Sequence, residues 1–138
     1  MNKATRFGVS LPDNLLERFD RDIENKGYAN RSEAIRDLIR RELVETEWKD
    51  SSRDTAAAVV IVYDHQESKI TQDLTEKQHR HHNEVVSTMH VHLDHDNCME
   101  VVLLRGKASD VKEIGDQLIS AKHVKIGKFV PATTGQGI

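Results

Sequence analysis

The sequence predicts an α+β protein of two modules, a β-α-α unit followed by a β-α-β-β-α-β unit. Three observations predict it. The stretch Arg6–Leu11 alternates polar and apolar residues and is followed by two helical apolar stripes. After residue 55, four strand-like runs interleave with two helical patterns in the split βαβ order of ferredoxin-like domains. Between the two lies KDSSRDT, Lys49 to Thr55, which is polar and without apolar periodicity. The expected division is a first domain over 1–48, a linker over 49–55, a second domain over 56–131 and a tail over 132–138.

In RFGVSL, Phe7, Val9 and Leu11 share one face of a short strand, and Arg6, Gly8 and Ser10 share the other. Pro12 suits the first turn of a helix, with Asp13 and Glu17 near its positive end. Leu15, Leu16, Phe19 and Ile23 follow at helical spacing, and Gly27 is placed as a helix-terminating glycine. Asn30, or alternatively Ser32, caps a second helix in which Glu33 sits in the first turn. Ala34, Ile35, Leu38, Ile39 and Leu43 form its apolar stripe. So small a unit buries little core alone, and a single strand leaves its ladder hydrogen bonds unmade. Antiparallel pairing of two copies solves both problems. It also presents Arg6, Gly8 and Ser10 on a two-stranded ribbon, which is the width of a DNA major groove.

In the second unit, Ala56–Tyr63 is a continuous apolar run expected to be a buried strand. Ser68 to about Glu84 reads as a polar helix with Ile70 and Leu74 inward. Val85–Leu93 alternates, with Met89, Val91 and Leu93 opposite Thr88, His90 and His92. His95, Asp96 and Asn97 form a turn before a third strand, Cys98–Arg105. Ser109 is the expected cap of a helix carrying Val111, Ile114, Leu118 and Ile119, and Val124–Val130 closes the pattern. Gly135 to Ile138 reads as a frayed end.

Composition excludes several classes. Of 138 residues, 37% are hydrophobic and 31% charged, as in folded globular proteins. No apolar run approaches the ~18 residues of a membrane span, so no membrane partner is expected. The N-terminal sequence has no apolar signal core, and the single cysteine, Cys98, leaves no intramolecular disulfide framework. A cytoplasmic location is the expectation. The net charge of −3 argues against a coat of positive charge, but a local basic stripe suffices for DNA binding. All eight histidines lie at or beyond His65, in the same part of the chain as the cysteine and the charge excess.

His90 and His92 stand at i and i+2 on one strand face, and Cys98 follows across a tight turn, giving H-x-H-x5-C on a hairpin. Two imidazoles and a thiolate form a borderline-to-soft donor set, suited to Ni(II), Cu(II), Zn(II) or Co(II) and unsuited to Mg(II) or Ca(II). Three ligands leave one position open. The cluster Gln78-His79-Arg80-His81-His82 is a source of a fourth imidazole, from the same chain or a neighbour. Glu100 shares the face of Cys98 and is placed to orient a ligand imidazole from behind.

The pattern resembles the nickel-responsive transcriptional regulator (NikR) family over residues 6 to about 131. The resemblance is carried by RFGVSLP, by Gly27 to Arg40, by His79, and by TMHVHLDHDNCME from Thr88 to Glu100. It implies a ribbon-helix-helix domain followed by a ferredoxin-like (ACT-like) domain. It further implies one Ni(II) per subunit in a near-square-planar site at a homotetramer interface, held by His90, His92 and Cys98 of one subunit and His79 of another. Glu33 and Asp37 match carboxylates of a second, weaker cation site between the domains; by spacing alone they are an exposed acidic pair. Arg6, Gly8 and Ser10 match the DNA-facing strand positions, and Gly8 has no side chain with which to read a base. Arg31 is a candidate phosphate contact, whereas Arg36, Arg40 and Arg41 read as a solvated helix face. His65, His81 and His82 align with a region where some members bind extra metal, although Arg80 interrupts the histidine run; spacing assigns no role to these or to His95.

The implied function is a repressor of nickel-uptake genes that binds double-stranded operator DNA as a dimer of dimers when Ni(II) is bound. A metal shared between subunits favours orientations in which both ribbons reach their half-sites. Raising a competent fraction from 1% to 99% takes about 5.5 kcal/mol of differential binding. The alternatives are a ribbon-helix-helix regulator of another transition metal, a metal-dependent hydrolase, and an antitoxin-like binding protein. No general base or pocket-forming loop supports the hydrolase, and the full core pattern of the second unit opposes the antitoxin. No enzymatic activity and no small organic substrate are expected.

Overall fold

Pro12 has no backbone N–H, and its carbonyl opens the first helix by accepting from Leu15 and Leu16 at 3.0 and 3.1 Å. In the computed structural model, which describes residues 3–67 and 69–138, this helix is α1, Asp13–Asn25. It ends where the sequence places a glycine. Gly27 has φ +80°, Tyr28 N–H reaches the Ile23 carbonyl, and Gly27 N–H reaches that of Glu24, each at 3.0 Å. That pair of bonds is the Schellman termination. Helix α2, Arg31–Lys49, is capped by Asn30, whose Oδ1 accepts the Glu33 N–H at 2.9 Å. Asn30, rather than Ser32, is therefore the cap.

The segment 3–12 carries no regular secondary structure. Its alternating side chains Phe7, Val9 and Leu11 are 68, 64 and 41% exposed. The alternation predicted for a strand is present, but one chain supplies no second strand to complete a ladder.

Contacts divide the chain into two units, Met1–Arg41 and Glu42–Ile138, with the division inside the α2 sequence. In the second unit, residues 50–53 form a turn after the end of α2. The Arg53 carbonyl accepts the Ala108 N–H, and the Ser51 carbonyl accepts both the N–H and the hydroxyl of Ser109. Ser109 is thus not the cap of its helix, which begins one residue earlier; its hydroxyl is already committed to Ser51.

The unit continues as β1 (Asp54–Asp64), α3 (Ile70–Arg80), β2 (Val85–His92), β3 (Asn97–Lys107), α4 (Ala108–Ile119) and β4 (Val124–Pro131). The strands form one antiparallel sheet in the order β2-β3-β1-β4, leaving β2 and β4 as edges. This is the expected β-α-β-β-α-β arrangement. The start predicted for α3 at Ser68 lies outside the described residues. Its end falls at Arg80 rather than near Glu84: residues 81–84 form turns, with the His81 N–H bonded to the Gln78 carbonyl, and the Glu84 carbonyl accepts the Arg105 N–H of β3.

Strand β1 alternates in burial, with Thr55, Ala57, Val59, Ile61 and Tyr63 all buried. These meet Cys98, Val102 and Leu104 of β3, Ile70 and Leu74 of α3, and Val111, Ile114 and Leu118 of α4 in one core. Helix α4 and strand β4 approach each other through paired glycines. A Cβ on Gly115 would lie 2.5 Å from the Phe129 ring, and one on Gly127 would lie 2.8 Å from Ile119. The opposite sheet face is apolar and open: Met89, Val91, Leu103, Ile126 and Val130 are 42–57% exposed. Among the described residues no helix is long and apolar enough to cross a membrane.

Candidate metal centre

The hairpin that carries H-x-H-x5-C is closed by Asp94. Its carboxylate accepts the backbone N–H groups of Asp96 and Asn97 at 2.9 and 2.8 Å, and Leu93 N–H bonds the Asn97 carbonyl. These bonds hold the Asp94 carboxyl below the usual carboxylate range, with the Asn97 side-chain amide the largest cause. The turn sets the register that matters. His92 pairs with Cys98, and His90 pairs with Glu100. Directly opposed residues project from the same face, so His90, His92, Cys98 and Glu100 share the helix-covered side of the sheet. Continuing across β3, Cys98 pairs with Tyr63.

Burial grades across this row. Cys98, Glu100 and Tyr63 are buried, whereas His90 and His92 lie exposed on the edge strand. Two imidazoles therefore stand at an open sheet edge beside a thiol anchored in the core. Glu100 is held by two donors: the Tyr63 hydroxyl at 3.0 Å and the Gln78 amide at 2.6 Å. Thr88 in turn donates to the Gln78 carbonyl oxygen at 2.8 Å. This network ties α3 to β1, β2 and β3. Burial, and then the Glu100 carboxyl beside it, push the Tyr63 phenol well above its ordinary range. The phenol therefore stays protonated as a donor to Glu100.

His90 touches the same network, with Nδ1 3.4 Å from the Tyr63 oxygen and Nε2 3.6 Å from Glu100. The Tyr63 hydroxyl proton is already engaged by Glu100. The tautomer of His90 sets which contact it makes: an Nδ1–H donates to the Tyr63 oxygen, and an Nε2–H faces the Glu100 carboxylate. His65 packs edge-on against His92, with ring centroids 5.0 Å apart.

His79 does not join His92 and Cys98. It lies on α3 and lines a cleft of about 330 Å³ with Gln78, His82, Thr88, His90 and Glu100. Among the described residues, no group of three or more His, Cys, Asp or Glu side chains is gathered closely enough to hold a metal ion. A single chain thus supplies an aligned donor row at its edge. Its chemistry, imidazole and thiol with an acceptor behind, fits a borderline transition metal.

His81 Nε2 lies 3.1 Å from Gln117 Oε1, and the His95 carbonyl accepts from Gln66. Sequence reasoning did not single out Tyr63 or Thr88. The only signal for Tyr63 was a polar hydroxyl ending an otherwise apolar strand.

In the first unit, Arg6, Gly8 and Ser10 are exposed. Arg31 holds Asp20 through two bonds of 2.7 Å, linking α1 to the start of α2. Asp37 accepts the Tyr28 hydroxyl at 2.9 Å and lies 3.5 Å from Arg40. Glu33, one turn earlier on α2, is exposed.

Comparison with known proteins gives a consistent result along the whole chain. Residues 56–132 match the family described as the NikR C-terminal nickel-binding domain. Residues 5–46 match the ribbon-helix-helix proteins of the copG family. Curated relatives bear the name "Putative nickel-responsive regulator". One from Geobacter metallireducens is 55% identical over 136 residues, covering 99% of this chain and 98% of its own. One from Thermococcus onnurineus is 55% identical over 134 residues, covering 97% of both. One from Pyrococcus furiosus is 50% identical and covers 96% of both. Among solved structures, an uncharacterised protein of Thermotoga maritima aligns with TM-score 0.51 at 14% identity, covering 57% of this chain and 98% of that one. That likeness concerns the fold alone.

Proposed function

From the premise that this chain belongs to the family of nickel-responsive regulators, we propose that it represses nickel-uptake genes by binding operator DNA when Ni(II) is bound. It is a nickel-binding transcription regulator of the ribbon-helix-helix class, and the family is one of regulators, not enzymes. The observation that carries the finer reading is the register His92–Cys98 with His90 two residues along, at an exposed edge strand.

His90, His92 and Cys98 hold one Ni(II) per subunit, and His79 of a neighbouring subunit completes the set. His79 stands on α3, and among the described residues it is not gathered with His92 and Cys98, an arrangement that fits a site shared between subunits. Bound nickel supplies a cross-link between subunits. Glu100, backed by Tyr63 and Gln78, orients His90, so a ligand presented by β2 is coupled to α3, the helix that carries His79. The subunits assemble as a homotetramer, a dimer of dimers, in the cytoplasm. The open apolar sheet face, with Met89, Val91, Leu103, Ile126 and Val130, and the unpaired segment with Phe7, Val9 and Leu11 supply two distinct apolar surfaces for it. The ribbon formed by two N-terminal segments enters the major groove through Arg6, Gly8 and Ser10, while Arg31 contacts phosphate. A second, weaker cation binds at Glu33 and Asp37. Asp37 already accepts from Tyr28, and that competition fits a weak site.

The donor set by itself also accepts copper or zinc, so the effector is tested first. Nickel titration of the intact protein is expected to saturate at one ion per chain with a thiolate-to-metal absorption band in the near ultraviolet. The band disappears in Cys98→Ala. Equal operator affinity for apoprotein and nickel-loaded protein at one salt concentration overturns the regulatory reading, whatever the spectrum.

A further inference from the structure

We propose that Ala132 and Thr133 form a strap by which the second unit grips the end of α2, and that this grip couples metal occupancy to operator affinity. The coupling rests on the regulatory reading above. Residues 42–49 of α2 fall within the second unit. They meet the chain that follows β4. The Trp48 indole N–H donates to the Ala132 carbonyl at 2.9 Å, and the indole stands edge-on to Phe129 with ring centroids 5.5 Å apart. The Thr133 hydroxyl donates to one Glu47 carboxylate oxygen at 3.1 Å, and Arg53 donates to the other at 3.0 Å. Between these two donors the Glu47 side chain is only 11% exposed. Farther along, Gln136 and Ile138 line a cleft of about 330 Å³ with Leu43 and Thr46 of α2.

Helix termination does not account for these bonds. A helix end must satisfy its orphan carbonyls, whereas Trp48 and Glu47 reach the strap with their side chains. The strap is also anchored to the strand that leads to the donor row. Ala132 N–H donates to the Ala56 carbonyl at 2.9 Å, and the Ala132 carbonyl accepts the Thr55 hydroxyl at 3.3 Å. Thr55 is buried near the start of β1. Near the other end of β1, Tyr63 pairs with Cys98 and donates to Glu100. One strand of 11 residues thus holds the strap at one end and the phenol behind the metal ligands at the other. It is paired on both sides, to β3 and β4. Packed, rigid elements of this kind carry coupling between distant sites. A metal that fixes the Cys98 end of the sheet therefore has a continuous route to Trp48 and Glu47, and so to the helix that begins at Arg31.

The test compares the full chain with a chain ending at Pro131, with Trp48→Phe and with Thr133→Val. Trp48→Phe keeps a ring against Phe129 and loses only the indole N–H. Trp48 is the only tryptophan, so its emission and its quenching by acrylamide report the grip directly in the other chains. Nickel stoichiometry, oligomeric state, and affinity with and without nickel are measured for each, on duplexes selected by the nickel-loaded parent at fixed salt. The shortened chain is expected to bind nickel and assemble as the parent does, with Trp48 emission shifted to longer wavelength and more readily quenched. Its ratio of nickel-loaded to apo affinity is expected to fall about tenfold, within the usual range for coupling between two sites. Trp48→Phe and Thr133→Val are expected to lose less of the ratio. Unchanged quenching in the shortened chain overturns the strap. A ratio within twofold of the parent's in both the shortened chain and Trp48→Phe overturns the coupling and leaves the regulatory reading standing. Loss of nickel binding or assembly in both also overturns it, because the contacts then maintain the second unit itself; Trp48→Phe decides where only the shortened chain fails to assemble. A parent whose affinity for every selected duplex is independent of nickel overturns the regulatory reading and the coupling with it.

Discussion

The two units of the chain use apolar residues in opposite ways. In the second unit, alternation along β1 is matched by burial, and Val59, Ile61, Val102, Val111 and Leu118 are wholly or nearly wholly enclosed. In the first, the periodicity is just as clear, yet among its described hydrophobic residues only Ile23 and Ala34 are buried. Phe7, Val9, Leu11, Leu15, Leu38 and Ile39 face outward at 41–68% exposure. An amphipathic pattern states that a face will be covered, not by which chain. The second unit answers within its own residues for one sheet face, and the first answers hardly at all.

Separating the units gives the largest expected effect. A fragment of residues 42–138 is expected to keep a cooperative thermal transition at low micromolar concentration. A fragment of residues 1–48 is expected to show a transition only where its midpoint rises with protein concentration, as for a domain folded by association. A concentration-independent transition in the short fragment would break the comparison.

Matched truncations sharpen it. Leu118→Ala removes a fully buried side chain and is expected to cost about 2–5 kcal/mol in urea unfolding. Phe7→Ala removes a side chain that is 68% exposed in one chain. Its cost is expected to appear as a higher concentration for half-dissociation, with the unfolding midpoint of the second unit unchanged.

Smaller effects test the local signals within the first unit. Asn30→Ala deletes the acceptor for the Glu33 N–H and is expected to lower stability by about 1 kcal/mol. Asp20 is held below the usual carboxylate range by its hydrogen bonds from Arg31, with the guanidinium charge adding to them. A carboxylate depressed in the folded state stabilises above its unfolded pKa, and that contribution is lost as pH falls through the folded value. Stability of the first unit is therefore expected to decline below the ordinary aspartate range. Asp20→Asn should flatten that decline, measured by denaturant midpoints between about pH 5 and pH 2. An unchanged acid limb would show that the pair is screened into insignificance, as exposed pairs often are.

Much of the fold was legible because its signals are local. Gly27 stops α1, Asn30 starts α2, and the H-x-H-x5-C spacing aligns donors on one hairpin face from the two-residue period of a strand alone. Other features were not legible, for equally specific reasons. Ser109 looks like a helix cap by type and position, but its hydroxyl bonds a carbonyl 58 residues earlier in the chain. The polar stretch 50–53 has a linker's composition, and composition does not tell whether its carbonyls face water or the amides of a distant helix. Just before the end that reads as frayed, the Ala132 carbonyl accepts the Trp48 indole N–H at 2.9 Å and the Thr133 hydroxyl donates to Glu47, bonds across more than 80 residues that no local signal announces.

The sequence by itself determined the order of elements in the second unit, the stop at Gly27, the cap at Asn30, and the row of His90, His92 and Cys98. These follow from periodicity and from backbone rules that act within a few residues. Only the tertiary structure decided that Glu100 is buried rather than solvated, that Tyr63 and Gln78 hold it, and that His79 stands on another element beside the same cleft. Each of those depends on strand register and helix docking between residues far apart in the chain, where the energy lies in burial and hydrogen-bond completion.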